Sequence, residues 1–192
     1  MGFGREFKSA LNISFQWRSA VVQGNGEAYN FPGKFTRFFR ARYCVPAVYR
    51  WRVLKNQPEE KEAIYIGEAE QLTRRIQRVL TPSKTAKDTN TNKRLHQIFQ
   101  AFLSKDRKIV IDVADLDPFE VNGVRFGTDT MGDTFKRRAI ENVLLALAQG
   151  SGEFELLNVV VDSAEEVRQK LSRLPPHELR KLIKLHGFDK PK

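Results

Sequence analysis

Two short segments rich in strand-forming residues, Ala47-Val48-Tyr49 and Tyr65-Ile66-Gly67, flank a polar stretch and lead into a segment of helical spacing that carries Arg75. β-Branched and aromatic side chains suit a pleated, half-buried surface, so each segment reads as part of a strand. Asn56 to Glu62 is polar and holds Pro58, which makes it the loop between them, and the two strands pair antiparallel. Leu72, Ile76, Val79 and Leu80 then recur at helical spacing over Gln71 to Leu80, with Arg74, Arg75 and Arg78 on other faces. Two phenols and a guanidinium are thereby placed where a strand pair meets a helix.

The flanking sequence supplies the rest of a small α+β domain. Asn12 to Phe31 alternates loosely around Asn25-Gly26, which predicts a hairpin. Lys34 to Leu54 carries Lys34, Arg37, Arg40, Arg42, Arg50 and Arg52 without an acid, interleaved with Phe35, Phe38, Phe39, Tyr43 and Trp51. Pro32 to Arg42 reads as a short helix and Cys44 to Leu54 as a strand. Thr81 to Asn92 is a polar loop, followed by an amphipathic helix bearing Leu95, Ile98, Phe99, Phe102 and Leu103. Lys108 to Val113 alternates as a third strand. Asp115 to Asp133 is a long connection with a short extended piece near Val121 to Phe126. Phe135 to Ala148 is a helix that Gly150 would stop. Asp162-Ser163 opens a helix to about Arg173, Pro175-Pro176 interrupt it, and Glu178 to His186 form the last one. The expectation is a small three-stranded antiparallel sheet flanked by helices, with an N-terminal hairpin and helix extension and a C-terminal helical pair. Three regions follow: a basic extension over residues 1–45 suited to nucleic-acid docking, a core over 46–160, and an appendage over 161–192.

A length of 192 residues and 41% apolar content allow one domain with a proper core. The formal charge of +10 calls for an anionic partner, nucleic acid or an anionic membrane surface. No run of ~18 apolar residues is present to span a bilayer, and residues 1–20 lack an apolar signal core. Cys44 is the single cysteine, so internal disulfides and cysteine-rich zinc sites are excluded and a cytoplasmic setting is expected.

Arg75 stands eight positions after Gly67 (67 to 75), with Leu72 three before it. This arrangement, with Tyr49 and Tyr65 on adjacent strands, resembles the GIY-YIG nuclease family over roughly Pro46 to Asn158. The resemblance implies a metal-dependent endonuclease hydrolysing DNA, restriction-like or otherwise engaged in defence or DNA processing. Tyr49 or Tyr65 would orient or deprotonate water and Arg75 would neutralise the phosphate. Glu141 would hold Mg²⁺ or Mn²⁺ as the single metal-binding carboxylate, and Asn158 matches the asparagine that follows its helix in many members. The chemistry is coherent, because a tyrosine with a reference pKa near ~10 needs cations beside it to act at neutral pH. Ala47 replaces the glycine of the family's first tripeptide, Glu68 stands where some relatives have lysine, and Val79 where some have histidine. The proton shuttle would then be a tyrosine or a lysine.

Plainer readings exist for every one of these residues. The tyrosines suit any strand, Arg75 any solvated helix face, and Glu141 could pair with Arg137 or Arg138 on its own helix. Asn158 could bond loop backbone, and His96, His177 and His186 show no ligand spacing. Phosphate contacts are expected from Lys34, Arg37, Arg40 and Arg42, from Arg74 and Arg78, and from Lys84, Lys87, Lys93 and Arg94 in and after the polar loop. The partner is DNA, with a homodimer if cutting is palindromic, and neither a membrane nor a small-molecule cofactor is expected. The competing reading is a non-catalytic nucleic-acid-binding protein using the same basic surface.

Overall fold

The computed structural model describes residues 13–82, 90–121 and 123–158. Met1–Leu157 and Asn158–Lys192 form two compact units, and the elements named below all belong to the first. The expected C-terminal helical pair and the appendage over 161–192 lie outside the described residues.

The fold is α+β, built on a five-stranded sheet in the order β1-β4-β2-β3-β7. Its centre is β2 (Ala47–Val53), whose neighbours are β3 (Glu62–Ala69) and β4 (Ile109–Leu116), both antiparallel to it. Strand alternation sends Ala47, Tyr49, Trp51 and Val53 to one face and Val48, Arg50 and Arg52 to the other. The first set joins Tyr65, Ile109 and Ile111 in a core covered by α1 (Arg37–Tyr43), α2 (Leu72–Leu80) and α3 (Asn90–Leu103). On the opposite face Val48, Ile64 and Ile66 pack with Ile140 and Leu144 of α4 (Thr134–Ser151).

The sheet has five strands where three were expected, and it is mixed rather than purely antiparallel. The additions are its edges. β1 (Phe15–Ser19) pairs antiparallel with β4, and β7 (Phe154–Leu156) pairs parallel with β3. The hairpin expected over Asn12 to Phe31 keeps its turn: Gly26 has φ 85, Val22 N–H donates to Glu27 O, and Val21 bridges Ala28. The strand preceding that turn finds its main partner far along the chain, a pairing that no local pattern encodes. Residues of the expected N-terminal extension also enter the main core, where Tyr29, Phe31, Phe39 and Tyr43 are buried together with Tyr49 and Trp51.

α1 starts five residues later than the sequence suggests because Thr36 caps it, accepting a hydrogen bond from Phe39 N–H. Cys44 follows as its exposed C-cap. β5 (Phe119–Val121) and β6 (Val124–Phe126) form a small hairpin inside the long connection. Asp133 caps α4 by accepting from Phe135 and Lys136 N–H. That helix runs through Gly150 and ends instead at Gly152, whose φ of 65 is the left-handed cap. Among the described residues no helix is long and apolar enough to cross a membrane.

Candidate active site

Tyr49 lies directly opposite Gly67 across the β2–β3 ladder, and Tyr65 opposite Trp51. The two phenol rings are diagonal neighbours on one face, with centroids 6.4 Å apart. β3 runs almost directly into α2, whose Leu72, Ile76 and Val79 are buried against that same face. This seats Arg75, half-buried, over the two rings. Its Nε donates to Tyr49 Oη at 3.0 Å and its Nη2 approaches Tyr65 Oη at 3.4 Å. The two hydroxyls hold the guanidinium plane in one orientation.

Tyr49 and Tyr65 differ in access. Tyr49 is 0% exposed and Tyr65 is 7% exposed, so Tyr65 is the phenol that reaches solvent. Burial pushes the Tyr49 hydroxyl well above the ordinary tyrosine range, and Arg75 only partly counters it. Tyr49 is therefore held as a neutral hydroxyl that fixes Arg75.

The carboxylates sit on the other face of β3. Glu68 Oε2 accepts from Arg137 Nε at 2.6 Å, and Arg138 lies 3.7 Å from its second oxygen. Arg137 is 2% exposed and also donates to Met131 O at 2.7 Å, which fastens the start of α4 to β3. Glu141 is one turn further along α4 and half-buried. Burial raises its pKa, the Glu68 carboxylate raises it further, and Arg75 and Arg138 draw it down. Both α4 arginines pair with Glu68, while the partly desolvated Glu141 accepts from the Glu68 backbone N–H and lies under the field of Arg75 and Arg138. A polar cleft of about 230 Å³ is lined by Glu68, Glu70, Gln71, Arg74, Arg75 and Arg78; Tyr49, Tyr65 and Glu141 are not part of its wall.

Among the described residues, no three His, Cys, Asp or Glu side chains converge as a metal-ligating group. Glu141 nevertheless fits a hard divalent cation. It is an oxygen donor whose charge is disfavoured by burial and by Glu68, a penalty that a cation would relieve. Mg²⁺ commonly takes one or two carboxylates and completes its shell with water and substrate phosphate oxygens.

The remaining expected residues divide by location. Lys34, Arg37, Arg40 and Arg42 are exposed on and before α1, and Arg74 and Arg78 are exposed on α2. Lys93 and Arg94 are half-buried on α3, where Arg94 Nη2 donates to Leu157 O at 2.9 Å and ties that helix to the end of β7. Lys84 and Lys87 lie outside the described residues. Asn158 is half-buried and opens the second unit. Sequence reading missed the Glu68–Arg137 pair. The only local signal was an acid beside the motif glycine and a basic doublet one turn before Glu141. It also missed Asp112, 1% exposed, which accepts from Ser19 Oγ at 2.9 Å and Arg50 Nε at 2.8 Å and braces three strands. No family model, curated protein or solved structure matches this chain.

Proposed function

We propose that this protein is a divalent-metal-dependent endonuclease of the GIY-YIG kind that hydrolyses phosphodiester bonds in DNA. One observation carries the reading: a single guanidinium bridges two phenols at the side of a polar cleft, with the half-buried Glu141 carboxylate of α4 within its field. Arg75, held by Tyr49 and Tyr65, presents fixed positive charge to the non-bridging oxygens of a bound phosphodiester. That charge is worth most as the phosphorane forms, because nothing has to reorganise at that moment. Tyr65, the more accessible phenol, orients the attacking water by accepting one of its hydrogens. As the water oxygen bonds to phosphorus, the opposite P–O bond breaks, the water proton passes to solvent and the departing oxygen takes a proton from solvent. Glu141 would hold Mg²⁺ or Mn²⁺, which supplies positive charge to the phosphate and the departing oxygen. Arg74 and Arg78 position the backbone on either side of Arg75.

A competing reading is a nucleic-acid-binding protein without catalysis. Tyr49 is fully buried, and its bond to Arg75 is also what a purely structural contact would provide. Supercoiled plasmid incubated with the protein in Mg²⁺ or in EDTA separates the two. The parent protein should cut only with metal. Arg75→Ala and Glu141→Gln should each lower the rate at least ~100-fold, the scale of losing one transition-state charge partner, with retained fold and DNA binding. Full activity in either variant overturns the site assignment, and salt-sensitive retention without scission establishes the binder.

A further inference from the structure

α2 runs between two recesses. Arg74, Arg75 and Arg78 line the polar cleft described above, and Gln77, Leu80 and Thr81 line a second groove of about 390 Å³ at the C-terminal end of the helix. The other wall of that groove is Pro32, Gly33, Lys34, Phe35 and Arg40. Two of these side chains, Phe35 and Arg40, form a ladder on the fully buried Phe39 behind them. The Phe35 and Phe39 rings stack at 5.0 Å and 11°, and the Arg40 guanidinium carbon lies 5.4 Å over the Phe35 ring. A guanidinium over an aromatic face gains cation–π attraction. Its planar surface can then continue the stack with a nucleobase.

We infer that this groove is a subsite for one unpaired nucleotide of the nucleic-acid strand whose neighbouring phosphate meets Arg75. The inference rests on the nuclease reading and adds to it a substrate class, single-stranded or locally unpaired DNA. The base extends the Phe39–Phe35–Arg40 ladder. Its polar edge meets the Gln77 amide and the Thr81 hydroxyl, both exposed and joined by a 3.1 Å hydrogen bond. Lys34 neutralises the attached phosphate. Thr81 lies six positions after Arg75 (75 to 81), an axial rise of about 9 Å at ~1.5 Å per residue. A fully paired duplex offers no free base face to the ladder, so the subsite discriminates by pairing state, which ordinary phosphate contacts do not.

The test uses the full chain carrying Arg75→Ala, so that substrate survives, and fluorescence anisotropy with labelled single-stranded, gapped and fully paired oligonucleotides of equal length. Adding Arg40→Lys keeps the charge and removes the plane. It should weaken single-stranded and gapped binding at least tenfold and leave duplex binding within twofold. Phe35→Leu, which removes the ring beneath the guanidinium, should reproduce that selectivity loss. Equal losses on all three oligonucleotides, or no loss on any, would overturn the subsite. Absence of all binding by the Arg75→Ala parent would instead strike the nucleic-acid reading on which the subsite rests.

Discussion

At Gly67 the missing side chain is what makes room for the site. A Cβ there would stand 2.9 Å from Tyr49 Oη and 2.8 Å from Tyr65 Cε1, inside any real carbon contact. Both rings are buried, so neither can swing aside. Gly67→Ala should therefore lower stability by about 1–3 kcal/mol, as overpacking does, and should part the phenols that orient Arg75. Urea unfolding reads the first effect and plasmid cleavage the second. An unchanged midpoint with unchanged cleavage would mean that the rings relax freely. Residues at this scale were legible where a local pattern contained them: Tyr49 and Tyr65 in strands, Arg75 on an amphipathic helix. The steric need for Gly67 was not, because it depends on which residue faces it across the ladder. The Glu68–Arg137 pair was hidden for the same reason, its partners lying 69 positions apart.

Among the elements, α4 is positioned by its first turn. Asp133 caps it, and Arg137 reaches back to Glu68 of β3 and to Met131 O. Replacing Arg137 with methionine keeps the helix former but leaves a carboxylate without its principal partner. Breaking such a low-exposure pair typically costs about 3–5 kcal/mol, and thermal melting should register that loss. Because Glu141 follows one turn later, cleavage by the surviving folded protein should fall as well. A variant that melts and cuts like the parent would show that hydrophobic contacts of Ile140 and Leu144 alone set the helix. The central strands and the helices announced themselves through period and capping chemistry. The two edge strands did not: β1 is exposed on alternate residues and β7 has three residues, so neither carries enough pattern to reveal its partner. Their places in the sheet are fixed by pairing with β4 and β3.

Over the whole molecule, on the proposed nuclease reading, the excess of ten positive charges would set how the protein meets DNA. Each phosphate neutralised releases condensed counterions, so affinity should fall linearly on a double-logarithmic plot against salt. Arg78→Ala removes one exposed cation beside Arg75 and should flatten that slope by about 0.7 for single strands or 0.9 for duplex. An anisotropy titration across a KCl series measures it, and an unaltered slope would place Arg78 off the nucleic-acid path. Cys44, exposed where α1 ends and close in sequence to Arg40 and Arg42, has a practical corollary. It is the only thiol in the chain, so a maleimide dye can be attached at one known point without mutagenesis. The protein thus carries its own reporter position at the end of the helix that bears Arg40, where the incoming strand is proposed to bind.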